Sequence, residues 1–292
     1  MNRGYLIHAY NNWEIDYGEM ALCACLLIKK HLRTNATAIA TSHDTLDCLM
    51  KKHGPNLIAQ AFDHIIINSA PRDSNDRTFH DTRYSHKTAT YHNSNRADSF
   101  KLSPFDETML IDADYLVLDN SFDTVWGSPD EIMVNKLVVD LHHREDLGGF
   151  NKRLNVASIP LYWATAMYFQ KTMYVKSVFD LISVIKENYQ FYQNLYKFPL
   201  SGYFRNDYAL SIALHMLNGQ IEHDTVRSLP INKLMVATEY DDLVNFINGT
   251  AYCISEAQQG DFKLHKIDTN IHIMNKWAIG RMAPRIINYA AV

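Results

Sequence analysis

An α/β fold, with a mainly parallel sheet flanked by helices, is predicted by three observations. Short apolar runs rich in branched residues recur along the chain, as buried strands require. They alternate with stretches whose apolar residues fall at helical spacing. A polar loop separates each run from the helical stretch after it, the order that places ligands at the carboxyl ends of parallel strands.

Gly4 to Ala9 reads as the first core strand and ends in Tyr10-Asn11-Asn12. Tyr17 to Leu32 follows as an amphipathic helix, with Met20, Leu22, Ala24, Leu27 and Ile28 available for burial. Thr37 to Thr41 is a second strand, ended by Ser42-His43-Asp44, where Asp44 either caps the next helix or reaches a ligand hydroxyl. Phe62 to Asn68 supplies a third strand. No Gly-x-Gly-x-x-Gly follows any of these strands, which argues against a classical dinucleotide fold. Ser69 to Asn95 is polar, too long for a tight turn, and is expected to be partly mobile.

The central stretch is Thr108 to Asn120, Thr-Met-Leu-Ile-Asp-Ala-Asp-Tyr-Leu-Val-Leu-Asp-Asn. Two apolar runs bracket Asp112 and Asp114. In extended chain, residues two apart point to the same side, so the carboxylates converge at the end of a core strand. Like charges there repel and are costly to desolvate unless something positive lies between them. A divalent metal is the simplest partner, since carboxylate oxygens suit hard cations.

Beyond the motif, Ile132 to Val134 and Leu137 to Val139 are further apolar runs, and His142 to Gly149 is a polar, glycine-containing loop suited to an acceptor. Pro160 to Phe169 reads as a strand and Val175 to Leu195 as one helix. Asn206 can cap a further helix, with Asp207 at its positively polarised start. Near the C-terminus stands Asn270-Ile271-His272-Ile273-Met274-Asn275-Lys276-Trp277.

Asp-x-Asp after an apolar strand, followed by Tyr-Leu-Val-Leu-Asp-Asn, resembles the metal motif of GT-A-fold glycosyltransferases, most closely the glycogenin-type enzymes of family 8. His272 to Trp277 resembles that family's His-x-x-Gly-x-x-Lys-Pro-Trp signature, without the glycine and proline and shorter by two residues between His and Lys. The resemblance implies a Rossmann-like GT-A domain over residues 1–292 and a manganese (or magnesium) ion on Asp112, Asp114 and His272. It further implies a UDP-sugar donor whose diphosphate meets Arg96 and Lys276 and whose uridine meets Tyr10, Asn11 and Asp44. Lys87 and Lys101 compete with Arg96 for its role. Asp207 is the catalytic candidate beside the reacting sugar. Trp-Ala-Thr-Ala-Met stands where the family often has Asn-Ala-Gly, which leaves the sugar and the acceptor open.

With 292 residues, 47% hydrophobic content and no linker-like composition break, one domain is expected. The longest apolar run, Met20 to Ile28, falls short of the roughly 20 residues of a membrane span, and the N-terminus lacks a signal-peptide layout. A cytoplasmic protein with reduced cysteines is the expectation. The net charge of −4 gives no broad basic surface for nucleic acid. The expected function is metal-dependent transfer of a sugar to a hydroxyl of a saccharide, a protein or a modified DNA base. The rivals are a phage-type enzyme glycosylating modified DNA bases and a non-catalytic nucleotide-sugar-binding module.

Overall fold

The computed structural model describes residues 2–69, 75–145, 153–155, 159–198, 204–219, 226–231, 233–258 and 260–291. The chain opens with β1 (Arg3–Ala9), α1 (Tyr17–His31), β2 (Thr37–Thr41), α2 (His43–His53), α3 (Pro55–Ala61) and β3 (His64–Ile67). Asp16 caps α1 by accepting from the Glu19 amide, and Lys29, Lys30 and His31 complement the dipole at its other end. Every residue of α1 from Tyr17 to Ile28 is buried, because the helix is wedged between the sheet and the C-terminal helix. Full burial of Leu26, Leu27 and Ile28 contributes roughly 1.5–3 kcal/mol each. Cys23 and Cys25 pack here as small hydrophobes, and burial pushes both thiols up. None of the four cysteines forms a disulfide.

The polar stretch expected to be partly mobile contains a hairpin, β4 (Asn75–His80) and β5 (His86–Tyr91). Phe79 and Ala89 are its buried positions among exposed neighbours, so the pattern of its burial is local and weak. After α4 (Ser99–Leu102) come β6 (Glu107–Ile111), β7 (Tyr115–Leu116), β8 (Ile132–Asn135), β9 (Val138–Asp140) and β10 (Trp163–Gln170). The single helix expected over 175–195 is two, α5 (Met173–Glu187) and α6 (Tyr189–Tyr196). They break at Asn188, whose side-chain amide donates back to the Val184 carbonyl at 2.9 Å and competes with helical bonding. Then follow α7 (Asn206–Leu217), β11 (Arg227–Ser228), β12 (Leu234–Ala237), β13 (Asp242–Ile247), β14 (Thr250–Gln258), β15 (Asp261–Ile267), β16 (Ile271–Ile273) and α8 (Lys276–Ala290).

Seven of these strands form the central sheet, in the order β11-β8-β10-β6-β1-β2-β3. Only β10 runs against the rest, so the sheet is mainly parallel, as expected. The order reverses at β1, with β2 on one side and β6 on the other. Their diverging loops open a crevice at the carboxyl ends of β1 and β6. A second sheet, β7-β16-β12-β9, lies beyond that crevice, and β13-β14-β15 form an antiparallel meander next to it. Among the described residues no helix is long and apolar enough to cross a membrane.

Candidate functional site

Both Asp112 and Asp114 leave the end of β6, which is buried along its whole length. A tight turn joins Asp112 to Tyr115, whose amide donates to the Asp112 carbonyl at 3.2 Å. The chain then enters β7, which pairs antiparallel with β16 so that Tyr115 lies opposite His272. That register puts His272 Nε2 3.0 Å from Asp114 Oδ2. The Ile273 amide locks it by donating to the Asp114 carbonyl at 3.0 Å. Asn270 tightens the same join, accepting from the Leu118 and Asp119 amides at 2.8 and 3.1 Å.

Asn275 caps α8 by accepting from the Ala278 amide, so Lys276 is the first helical residue. Its Nζ bonds to Asp114 Oδ2 with both residues buried. Burial acts to raise the Asp114 pKa, but the charges of His272 and Lys276 prevail and hold it well below the usual carboxylate range. Burial draws the Lys276 pKa downward, and Asp114 opposes the shift. Arg96 enters from the other side, donating to Asp112 Oδ1 and to the carbonyls of Ala164 and Thr165 in β10. Desolvation lowers the Arg96 pKa to about 10, which keeps it charged at neutral pH. Its rivals lie elsewhere: Lys87 is exposed and pairs with Glu14, and Lys101 is exposed on α4.

Ligand atoms of Asp112, Asp114 and His272 all lie within 4.8 Å of one another. A six-coordinate ion with bonds of about 2.1 Å spans about 4.2 Å across opposite ligands. The spread of the set is of the same order, so these three groups could hold such an ion, and a mostly carboxylate donor set would suit a hard cation such as manganese or magnesium.

These groups face a cavity of about 580 Å³. It also receives Tyr10, Asp207 and Thr165, so the structure brings together seven of the nine residues singled out from the sequence: Tyr10, Arg96, Asp112, Asp114, Asp207, His272 and Lys276. Asp207 occupies the second position of α7, where Oδ1 accepts from the Ala164 amide at 2.7 Å and Oδ2 pairs with Arg205 at 3.1 Å. Arg205, not Asn206, stands at the cap position of α7, and the Asn206 amide donates to the Asn93 carbonyl.

Asn11 and Asp44 do not line the cavity. The Asn11 side chain is spent on the start of α1, accepting from the Gly18 amide at 2.8 Å and donating to Asp16 at 3.0 Å. Asp44 is exposed in the first turn of α2, whose cap is Ser42, accepting from the Thr45 amide. In the loop considered for an acceptor, Arg144 reaches the cavity while residues 146–149 lie outside the described ones.

Sequence reasoning missed several lining residues. His8 sits at the end of β1, Arg77 and Arg83 come from the hairpin, and Glu239, Asp241 and Glu256 come from the region around β12 to β14. Among the described residues the cavity carries six Arg or Lys side chains and seven Asp or Glu side chains. Each of the six cations pairs with a lining carboxylate, as in Arg77 with Glu239, Arg83 with Glu256 and Arg144 with Asp140.

No family model matches the chain, and no curated protein matches it. Solved structures do. The galactosyltransferase LgtC with donor and acceptor sugar analogues is 11% identical, over 99% of this chain and 95% of that one, with a TM-score of 0.48. The glycosyltransferase GlyE of Streptococcus pneumoniae TIGR4 is 10% identical over 78% of this chain, with a TM-score of 0.42. This chain spans 45% of GlyE's length. Mouse xyloside xylosyltransferase 1 is 11% identical over 76% of this chain and 84% of that one, also at 0.42.

Proposed function

We propose that the chain is a glycosyltransferase that moves a sugar from a UDP-sugar to a hydroxyl acceptor, with manganese or magnesium held by Asp112, Asp114 and His272. The observation that carries this reading is the convergence of three distant segments, residues 96, 112–114 and 272–276, on one cavity at the carboxyl ends of β1 and β6. When bound, the ion supplies Lewis-acid stabilisation of the departing diphosphate.

The chain's own residues do the rest. Lys276 and Arg96 are fixed cations around the same carboxylates, and the diphosphate oxygens are their alternative partners. Such prepositioned charges act strongly because burial keeps water from screening them. Tyr10, buried in the cavity wall, offers the uridine an apolar face. Asp207 is anchored by the Ala164 amide and Arg205, which fixes its carboxylate to receive a sugar hydroxyl and orient the donor or the acceptor.

Calorimetry of UDP with and without manganese tests the reading. Binding is expected to need the metal, and equal affinity after chelation removes the central claim. Slow manganese-dependent hydrolysis of a UDP-sugar separates an enzyme from a module that only binds.

A further inference from the structure

His8 and Ser99 form a hydrogen-bonded pair beneath the site that no part of the proposed chemistry uses. His8 is the penultimate residue of β1, one position past Ile7, and Ile7 is in register with Ile111, so His8 lies beside the strand position of Asp112. Its Nε2 is 2.9 Å from Ser99 Oγ. Ser99 is fully buried at the start of α4, and its hydroxyl donates to the Arg96 carbonyl at 2.6 Å.

The direction of these bonds follows from counting hydrogens. The Ser99 hydroxyl has one proton, which the Arg96 carbonyl receives. His8 must therefore donate through Nε2. Burial, reinforced by the Arg96 charge, lowers the His8 pKa to about 3, so the ring is neutral and Nδ1 is a bare acceptor. That Nδ1 is buried with no hydrogen-bond partner. The opposite tautomer would bury an unpaired N–H instead, the rarer and costlier defect.

We propose that His8 is a positioning residue that acts through Ser99 to hold Arg96 against Asp112 and the mouth of the donor site. Arg96 belongs to a short 3-10 turn, Ser94–Asp98, which has no side-chain cap. The His8–Ser99 pair therefore ties the backbone of that turn to the rigid central strand. With its backbone fixed, the Arg96 side chain spans from Asp112 to the Ala164 and Thr165 carbonyls. Asn95 ties the turn separately to the Ser69 carbonyl at 2.7 Å, so loss of the His8–Ser99 tie loosens the turn at its Arg96 end, and with it the guanidinium.

This inference rests on the proposed role of Arg96 at the diphosphate, and the test separates the two. UDP binding in manganese is measured by calorimetry for the wild type and for His8→Leu, His8→Gln, Ser99→Ala and Arg96→Leu. In glutamine the amide nitrogen stands three bonds past Cβ, as Nε2 does in histidine, so His8→Gln keeps a donor for Ser99. Arg96→Leu is expected to lose roughly ten- to a hundredfold in UDP affinity. His8→Leu and Ser99→Ala are each expected to lose about tenfold, and His8→Gln to stay near wild type. In the Arg96→Leu background, His8→Leu is expected to cost nothing further, an outcome that general loosening of the fold would not produce.

If the wild type does not bind UDP, the donor reading fails and the inference falls with it. If Arg96→Leu weakens UDP while His8→Leu and Ser99→Ala bind like wild type, the tie is refuted and the donor reading stands. Equal losses for His8→Leu and His8→Gln, or additive losses with Arg96→Leu, also refute it. Should His8→Leu fail to fold, Ser99→Ala alone and with Arg96→Leu carries the same expectations.

Discussion

Replacing Lys276 with methionine separates the two jobs that the structure gives this lysine. Its ammonium is bonded to Asp114, and both residues are buried, at 6% and 5% exposure. Without metal, the substitution leaves Asp114 with His272 at 3.0 Å in a buried setting. Removing one partner of a buried ion pair costs roughly 3–5 kcal/mol. At roughly 2 °C per kcal/mol, the melting temperature falls by roughly 6–10 °C. Manganese, however, no longer competes with a charge-assisted hydrogen bond worth roughly 1.5–3 kcal/mol. Its affinity is therefore expected to rise by up to ten- to a hundredfold. Manganese at 100 times its dissociation constant returns about 2.7 kcal/mol of the lost stability. UDP affinity measured in saturating manganese moves the other way, down by about ten- to a hundredfold, because one diphosphate contact is gone. Thermal unfolding with and without manganese, with calorimetry of both ligands, reads all three changes. Weaker manganese binding in the variant would refute the reasoning, because it would make Lys276 a supporter of the metal and not its competitor.

Four other expectations follow from the same geometry. His272→Ala should weaken manganese and UDP together, since a metal ligand serves both; wild-type binding of each by calorimetry would leave the site to Asp112 and Asp114 alone. Asp207→Asn keeps an oxygen for the Ala164 amide, so manganese and UDP affinity should hold while turnover of a UDP-sugar falls roughly a hundredfold through lost positioning; full turnover would remove Asp207 from the mechanism. Stability should fall as pH drops below 6.5, because the unfolded chain protonates His8 first, and the loss should continue toward pH 3. The shift sets an upper limit of roughly 5 kcal/mol, reduced because His8 borders the cavity, and pH-dependent urea melts of His8→Gln should show a flatter slope. Duplex DNA should not bind tightly, since every lining cation already has a carboxylate partner; micromolar gel-shift binding that weakens steeply with salt would favour the DNA-modifying alternative.

β1, α1 and β2 were legible because each buries a face, or both faces, against the central sheet, and burial writes itself into composition. β3 was legible from its branched apolar run although Ile65 and Ile67 lie exposed at the sheet edge, and the short α3 went unread. The run from Met20 to Ile28 is apolar all round because the helix is covered all round. The meander of β13 to β15 went unread, although its first turn carried a signal. Asn248-Gly249 joins Ile247 to Thr250 with φ of 48° and 81°, the two-residue turn in which both central residues adopt positive φ. A side chain at Gly249 would also strike Tyr289 on α8, 2.5 Å from its hydroxyl. β14 alternates half-exposed and buried residues from Thr250 to Glu256, but β15 is exposed from Asp261 to Leu264, and Glu256, Gln258, Asp261, Lys263 and Lys266 dilute the apolar pattern.

The acidic pair at the end of β6 was visible because residues two apart in an extended chain share a side, a local fact. What surrounds the pair is not local. His272 reaches Asp114 only through the pairing of β7 with β16, across 158 residues. Asn11, by contrast, looked like a ligand contact because it follows a strand and an aromatic residue. A helix start two turns of chain away claims both ends of its amide. Competition for hydrogen bonds decided both outcomes. A buried polar group takes the partner that the fold brings nearest, and sequence order does not record which partner that is. His8 is hidden in the sequence for the same reason. On sequence it is one polar residue near the end of an apolar strand, and its meaning appears only when the fold brings Ser99, and through it the Arg96 carbonyl, against it.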